Sequence, residues 1–400
     1  MKKMLDGNAA AVEAMRLAEV KVISAYPITP QSSIAEKLSS LVAEGEIKAE
    51  YIRVESEHTA MSAATTAQLT GVRAATATSS VGLALMHEIL GVTSGLRVPV
   101  VMPVVNRSLV APWSLWCDHS DAMAERDSGW LQLYCQNVQE VLDLMLLAYA
   151  CAEHKEVLLP AMVCLDGFFL SHSMQKVEVP DIEAARAYLG PYAAGNSFLS
   201  SADPMFVCDL TGPEDFTEMR YQHREGFLAA LRVIPERMKE FESAFGRKLT
   251  MIEEYRTADA DAVLVALGSM CGTAKQVVND MRARGKKVGL LKITVFRPFP
   301  DELIKQALAG RPAVGVFDRS AGLGSKGGPL WNEVRSVMQT SRAEIVSFIG
   351  GLGGRDVPPA TIEKAFNRLL EIAGGGKPGG ESWIDVKANP MEIREVLLNV

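Results

Sequence analysis

The first half of the chain alternates between short, wholly apolar runs and longer stretches with helical periodicity. Apolar runs of this kind are typical of strands covered on both faces, and they predict a parallel sheet between two layers of helices. The predicted strands are residues 20–25, 51–54, 74–78, 98–105 and 161–165. The predicted helices are residues 8–17, 58–69, 82–94 and 138–152, with one more helix that begins at Pro30 after the capping hydroxyl of Thr29.

The second half repeats this pattern on a smaller scale after an interruption. Residues 180–211 lose their periodicity and predict an irregular connection, and the polar residues 214–245 predict one long helix. The predicted strands beyond it are residues 262–267, 288–294, 313–317 and 344–349. The predicted helices there are residues 273–284, 301–309 and 359–372, followed by a flexible Gly-rich linker, 374–382, and a short terminal helix.

These elements predict an α/β protein with two doubly wound domains. We place the first domain at residues 1–245, which include the irregular connection and the long helix. The second domain occupies residues 246–375, and residues 376–400 form a flexible linker and C-terminal tail.

Composition and charge exclude several classes of function. A formal net charge of −7 without a long basic run speaks against a nucleic-acid-binding surface, and no apolar run is long enough to span a membrane. The N-terminus lacks the apolar segment of a secretory signal, so we expect a cytoplasmic protein. The six cysteines include no C-x-x-C pair, which predicts free thiols and places any iron–sulfur cluster in another chain.

Polar residues follow several predicted strands, at the edge where open α/β sheets bind ligands. The first turn, residues 25–30, leads into a helix whose free N–H groups suit a carboxylate, although a rigid capped turn would have the same pattern. After the next strand come Glu55 and Glu57. They either complement the helix dipole or include a buried carboxylate that hydrogen-bonds a heterocycle nitrogen.

Three further clusters follow the later strands. Residues 78–83 form a Gly-containing turn that lets a flat ligand approach the backbone. Arg107 follows an apolar strand, where it either clamps a carboxylate or lies on the surface. Asp118, His119 and Asp121 contain metal-ligand atoms, but three ligands within four residues and no distal partner favour a polar loop over a metal site.

Together these clusters carry a family resemblance, because their order and spacing match one pattern. The motifs are YPITP at 26–30, SE at 56–57, TSSVGL at 78–83, NR at 106–107, DHSD at 118–121, RDSG at 126–129, KITVFRPFP at 292–300 and GGLGGRD at 350–356. They resemble the α-subunits of the pyruvate:ferredoxin oxidoreductase family over residues 5–375. The resemblance implies a thiamine diphosphate pyrimidine-binding domain followed by a transketolase C-terminal-like domain.

The resemblance also implies roles for individual residues. Glu57 matches the catalytic carboxylate that hydrogen-bonds N1′ of the aminopyrimidine and so favours the imino tautomer that activates the thiazolium. Thr29 and Arg107 match substrate contacts, the arginine pairing with the 2-oxoacid carboxylate. No metal ligand is implied in this chain. The implied cofactor-binding residues are Tyr26, Pro27, Glu57, Ser80 and Asp118.

By the same resemblance, the chain is one subunit of an enzyme that oxidatively decarboxylates a 2-oxoacid to an acyl-CoA and CO₂. Thiamine diphosphate would be shared with a β-type subunit that holds the diphosphate and Mg²⁺, and coenzyme A would be the co-substrate. Subunits of γ and δ type would carry [4Fe–4S] clusters, and ferredoxin or a similar protein would accept the electrons.

The substrate and two other functions stay open at this point. Gln31 and Val81 depart from the usual family motifs, and Trp113 and Trp116 add aromatic bulk, so pyruvate and branched or aromatic 2-oxoacids are all candidates. The alternatives are a transketolase- or 2-oxoacid dehydrogenase-type component without iron–sulfur clusters, and a scaffold paralogue that has lost the site.

Overall fold

The computed structural model describes residues 1–195, 198–340, 343–377 and 379–387. The strands of the first half are β1 Lys2–Leu5, β2 Val22–Ala25, β3 Glu50–Arg53, β4 Ala74–Ala75, β5 Val101–Asn106, β6 Leu131–Tyr134, β7 Ala161–Asp166 and β8 Gln175–Glu178. Its helices are α1 Gly7–Leu17, α2 Ser32–Ala43, α3 Glu57–Leu69, α4 Ser80–Leu85, α5 His87–Gly95, α6 Ser120–Ala124, α7 Val138–Ala152, α8 Ile182–Leu189 and α9 Pro213–Phe245.

The second half contains a further set of strands and helices. The strands are β9 Ile252–Tyr255, β10 Ala262–Ala266, β11 Val288–Ile293, β12 Val295–Arg297, β13 Ala313–Asp318, β14 Glu344–Ile349 and β15 Ser382–Trp383. The helices are α10 Met270–Ala283, α11 Asp301–Leu308, α12 Pro329–Val337 and α13 Pro359–Ala373. Among the described residues, no helix combines the length and the apolar character needed to cross a membrane.

The sheet of the first half is parallel except at one edge. β3, β2 and β4 form one group, and a parallel bridge between Thr78 and Val104 joins this group to β5, β7, β6 and β12. Within the described residues of this sheet, β12 is the one strand that runs antiparallel to its neighbour. Helix α7 is buried on nearly all sides, which explains its almost continuous apolar sequence, and Gln139 and Glu140 are its only residues that are not buried.

β12 connects the two halves of the chain. It directly follows β11, so one extended segment runs from the second sheet into the edge of the first. Val295 of β12 pairs with Leu133 of β6, and the buried Lys292 ammonium of β11 forms an ion pair with Glu140 of α7. The strand predicted over residues 288–294 corresponds to β11. The sequence did not predict β12, which continues the segment into the first sheet, where Val295 joins the apolar core of the first half.

The second sheet has the order β15–β14–β13–β10–β11–β9 and is parallel except for β9. Val278 of α10 and Phe366 of α13 pack in one apolar core against this sheet. Ile304 of α11 and Val334 of α12 belong to a different core, which also includes Met61 and Met102 of the first half. The two halves therefore share an apolar core, in addition to the strand crossing at β12.

The prediction that a helix begins at Pro30 with Thr29 as its cap is wrong. Helix α2 begins two residues later, at Ser32. The Gln31 N–H donates to the Ile28 carbonyl (2.7 Å), and the Gln31 side chain accepts from the Ile28 N–H (3.2 Å). These bonds close a separate turn in front of the helix, which the Thr–Pro pattern does not predict.

Two regions that the sequence predicted to be irregular contain regular structure. α8 lies inside the predicted connection 180–211 and is capped by Asp181, whose carboxylate accepts from the Glu183 N–H at 2.9 Å. Ser382–Trp383, placed in the tail by the sequence, form β15 beside β14. The predicted terminal helix lies outside the described residues.

A buried ionic cluster lies where the two halves meet. Asp166 at the end of β7 accepts from His119 Nε2 (2.8 Å), Arg319 Nη1 (2.6 Å) and Ser269 Oγ (2.5 Å). Arg319 and Ser269 come from the second half of the chain. Burial alone would raise the pKa of Asp166, but His119 and Arg319 together hold it well below its usual range. The cluster thus fixes the ends of β7, β10 and β13 relative to one another.

Replacing Arg319 with Met removes the charge and keeps an unbranched apolar side chain. We expect the free energy of unfolding to fall by about 3–5 kcal/mol, because removing one member of a buried ion pair leaves its partner uncompensated. Urea unfolding of the purified chain measures this change. Arg284→Met, which breaks an exposed pair with Glu363, is the control and should change stability little. Equal effects of the two variants would show that the buried cluster does not stabilise the fold.

Candidate active site

The candidate residues lie along the carboxyl edge of the first sheet. β2, the Thr78 segment after β4, and β5 are neighbours, so the loops that follow them meet at one edge. The loop after β2 carries Thr29, the turn after Thr78 begins α4 at Ser80, and Arg107 directly follows β5. This is the position at which open α/β sheets bind ligands.

Arg107 is 2% exposed, and its guanidinium is oriented by two backbone carbonyls. Nη1 donates to Thr29 O at 3.0 Å, and Nε donates to Ser114 O at 3.1 Å. The guanidinium carbon lies 5.4 Å from the centre of the exposed Trp113 ring. Nη2 is buried and has no hydrogen-bond partner within the described residues. Burial lowers the pKa of Arg107. The Nη2 edge of the guanidinium is free to bind an anion.

Glu57 is the first residue of α3 and is 6% exposed. The Ser56 hydroxyl caps the helix by accepting from the Thr59 N–H at 3.2 Å, so the Glu57 carboxylate is not used as the cap. Within the described part of the chain the Glu57 side chain has no hydrogen-bond partner. A buried carboxylate without a partner is costly and is typical of a site that meets a ligand.

The space beside Glu57 depends on a glycine. A Cβ atom on Gly82 of α4 would lie 2.6 Å from Glu57 Oε1 and 2.6 Å from Thr78 Oγ1. The hydroxyls of Thr78 and Ser79 are buried and have no partner within the described residues. The Gly of the TSSVGL motif predicted that a flat ligand can approach the backbone, but the motif did not predict the contact of Gly82 with Glu57.

Ser80 and Asp118 both lie beside Ser108. Ser80 Oγ donates to Ser108 O at 2.5 Å, and Ser108 Oγ donates to Asp118 Oδ2 at 2.6 Å. Asp118 also accepts from Ser120 (3.0 Å) and from the Gly353 N–H (3.1 Å) of the second half. The polar groups of Ser80 and Asp118 thus hold the loops of the site together.

The remaining predicted residues lie on the loop that follows β2. Tyr26 is half-buried, and Pro27 and Thr29 are exposed. Thr29 contacts Arg107 through its backbone carbonyl, so its hydroxyl is not used in that contact.

The polar loop residues considered for a metal site have separate partners. The carboxylate of Asp118 binds Ser108 and Ser120, and His119 pairs with Asp166 in the buried cluster. Asp121 accepts from the backbone N–H groups of Ser80 (2.9 Å) and Arg107 (3.0 Å). Sequence patterns did not assign this role to Asp121, since the N–H groups it binds come from distant turns.

The arrangement joins the polar groups that a charged, flat ligand needs. Glu57 offers a buried acceptor, and Arg107 offers a free N–H edge. The unpaired hydroxyl of Thr78 belongs to a strand segment that lies between β3 and β5, the strands that precede Glu57 and Arg107. These orphaned groups fit an aminopyrimidine beside Glu57 and a carboxylate beside Arg107.

Two family models match the chain and decide its family. Residues 13–242 match the thiamine diphosphate-binding domain of pyruvate flavodoxin/ferredoxin oxidoreductases, and residues 260–362 match core domain II of pyruvate:ferredoxin oxidoreductase. The chain belongs to the pyruvate:ferredoxin oxidoreductase family. The resemblance stated from the sequence motifs is confirmed.

Relatives extend this match over nearly the whole chain. The pyruvate synthase subunit PorA of Methanothermobacter thermautotrophicus is 47% identical, over 92% of this chain and 94% of the relative. The NADH-dependent phenylglyoxylate dehydrogenase subunit alpha of Aromatoleum evansii is 38% identical, over 96% of this chain and 95% of the relative. Both relatives are similar to the present chain in length as well as in sequence.

A solved structure shows the same fold. The 2-oxoglutarate:ferredoxin oxidoreductase from Magnetococcus marinus superposes with a TM-score of 0.70 at 18% identity. The match covers 93% of this chain and 65% of that one, so the present chain spans about two thirds of its length. The predicted α/β fold class is confirmed. The roles of the individual site residues and the predicted domain bounds stay predictions.

Replacing Gly82 with Ala tests the space beside Glu57. The added methyl group forces the Glu57 carboxylate to move, and we expect turnover of the assembled enzyme to fall by roughly 100-fold if Glu57 acts in the site, because small displacements of reacting groups cost this much. The loss is measured as the maximal turnover rate when activity is followed over a range of thiamine diphosphate concentrations. Gly91→Ala is the control, because a Cβ there meets nothing within 4 Å. If both variants keep wild-type turnover, the close approach of Gly82 has no functional role.

Proposed function

We propose that this chain is the α-subunit of a thiamine diphosphate-dependent 2-oxoacid:ferredoxin oxidoreductase, which oxidises a 2-oxoacid with coenzyme A to an acyl-CoA and CO₂. One observation carries the proposal. A buried carboxylate and a buried guanidinium edge, both without partners within the described residues, follow two strands at the carboxyl edge of a sheet that belongs to the thiamine diphosphate-binding family domain.

Glu57 is the residue proposed to act on the cofactor. When bound, thiamine diphosphate supplies the carbanion chemistry that splits the bond between the carboxyl and carbonyl carbons of the substrate. The Glu57 carboxylate would hold a proton at the ring nitrogen of the aminopyrimidine. Its burial excludes water from this hydrogen bond, which strengthens it.

Arg107 is the residue proposed to bind the substrate carboxylate. Two of its guanidinium nitrogens are held by Thr29 O and Ser114 O, so the free Nη2 has a fixed direction. A guanidinium oriented in advance binds a carboxylate without losing further side-chain entropy. We propose that the exposed hydroxyl of Thr29 contacts the same substrate.

We propose that four residues form the walls of the cofactor site: Tyr26, Pro27, Ser80 and Asp118. Tyr26 and Pro27 form the loop beside Thr29, and Ser80 and Asp118 brace Ser108 behind it. Their proposed contribution is to place the loops around the ligand, since the hydroxyl of Ser80 and the carboxylate of Asp118 are already hydrogen-bonded.

Pyruvate is the substrate we propose, with larger 2-oxoacids as the competitors. The support is the 47% identity to a pyruvate synthase subunit, compared with 38% to a phenylglyoxylate dehydrogenase subunit. The exposed rings of Trp113 and Trp116 at the rim favour the competitors. A panel of 2-oxoacids given to the assembled enzyme with coenzyme A and a viologen dye distinguishes them.

The remaining components are proposed to come from partner subunits. A β-type subunit would supply the diphosphate and Mg²⁺ site, γ- and δ-type subunits the [4Fe–4S] clusters, and ferredoxin or a similar protein the electron acceptor. We place the assembly in the cytoplasm, whose reducing conditions suit the six free cysteines. The isolated chain is then expected to be inactive.

A transketolase- or 2-oxoacid dehydrogenase-type component is the competing enzyme. Reduction of ferredoxin or viologen by the native complex supports the oxidoreductase. Turnover that depends on a lipoyl carrier supports the alternative.

Glu57→Gln tests the cofactor role at nearly constant shape. We expect 2-oxoacid-dependent viologen reduction by the assembled enzyme to fall by roughly 100-fold or more, since the amide cannot hold the ring proton. Gel filtration checks that the complex still forms. Glu55→Gln, an exposed carboxylate two residues away, is the control and should keep full activity. Near-wild-type activity of Glu57→Gln would refute the assignment.

Arg107→Ala tests substrate binding. We expect the KM for the 2-oxoacid to rise by about 10- to 100-fold, because one charge-assisted hydrogen-bond pair contributes about 1.5–3 kcal/mol. Steady-state kinetics of the assembled enzyme give the value. Arg53→Ala, at the exposed end of β3, removes the same charge away from the substrate. An unchanged KM in Arg107→Ala would remove this residue from the substrate site.

A further inference from the structure

Asp121 lies behind the proposed site and accepts four hydrogen bonds. It is 1% exposed and belongs to the short helix α6. Oδ2 accepts from the Ser80 N–H (2.9 Å) and the Arg107 N–H (3.0 Å). Oδ1 accepts from Asn106 Nδ2 (2.8 Å) and from the Ala122 N–H (2.8 Å). One carboxylate therefore joins three segments of the chain.

The two N–H groups that bind Oδ2, those of Ser80 and Arg107, belong to different sides of the proposed site. Arg107 carries the guanidinium that is proposed to bind the substrate carboxylate. Ser80 begins the turn whose Gly82 lies against Glu57. A single oxygen atom of Asp121 thus links the substrate side and the cofactor side.

The Ser80 backbone needs such a restraint. Its φ is +48°, in the left-handed region that a non-Gly residue adopts at a cost in free energy. The Asp121 bond to its N–H and the bond from its hydroxyl to Ser108 O hold this conformation. Loss of the first bond would let the turn relax and move Gly82 relative to Glu57.

From this geometry we propose that Asp121 is a positioning residue, which fixes the substrate arginine Arg107 and the cofactor-side turn at Ser80 relative to each other. The inference rests on the proposed function and adds a residue that touches neither substrate nor cofactor. It explains why a carboxylate is buried among neutral N–H donors, with burial raising the pKa of Asp121 to about 6.

Asp121→Ala in the assembled enzyme is the first test. We expect at least a tenfold rise in the KM for the 2-oxoacid and in the thiamine diphosphate concentration that gives half-maximal activity, since both loops lose the same acceptor. A structural role alone would lower thermal stability and leave both values unchanged. Asp143→Ala is the control, because Asp143 is equally buried but pairs with Arg247 on the far side of α7.

Asp121→Asn is expected to restore function in part. Its remaining oxygen can face Ser80 and Arg107 if the Asn106 amide turns, which the unpaired Oδ1 of Asn106 permits. Adding Asn106→Leu blocks this compensation, so the double variant should have a higher KM than Asp121→Asn alone. These two variants keep the test decisive if Asp121→Ala does not assemble.

Two outcomes overturn the inference in different ways. Wild-type KM and cofactor half-saturation in Asp121→Ala, or in the double variant, would show that Asp121 does not position the site. An assembled wild-type enzyme that turns over no 2-oxoacid would refute the proposed function itself, and the inference with it.

Discussion

A buried charge without a protein partner is unfavourable unless something else satisfies it, and the first sheet carries two such groups on loops at its carboxyl edge. The Glu57 carboxylate and the Arg107 Nη2 edge are enclosed by the fold but are not paired by the described residues. The simplest way to compensate them is a ligand that offers a donor to one and an anion to the other. An aminopyrimidine and a 2-oxoacid carboxylate have these properties, and they are the ligands that we propose for the two groups.

The rest of the structure holds these two groups in place. Arg107 is oriented by carbonyls of two loops, and the turn next to Glu57 is kept open by Gly82. Behind the site, the buried cluster around Asp166 joins the two halves of the chain, and β12 adds a strand from the second half to the first sheet. Loop geometry at the sheet edge therefore depends on contacts made between the halves.

Local patterns predicted the parts of the fold that are determined locally. Apolar strands, the α7 helix and the restart of the alternation after residue 261 follow from periodicity, and the family motifs indicated Glu57 and Arg107 as candidates. Contacts between distant residues could not be predicted in this way. The division of residues 288–297 between two sheets, the turn closed by Gln31 and the link from Asp121 to Ser80 each depend on a partner far away in the sequence or on a side-chain bond without a fixed pattern.

The most direct test of the central claim is a structure of the assembled enzyme with thiamine diphosphate bound. We predict that the Glu57 carboxylate lies within hydrogen-bond distance of a ring nitrogen of the aminopyrimidine, at a boundary between this chain and another polypeptide. A structure in which Glu57 faces solvent, or in which the cofactor lies out of its reach, would contradict it.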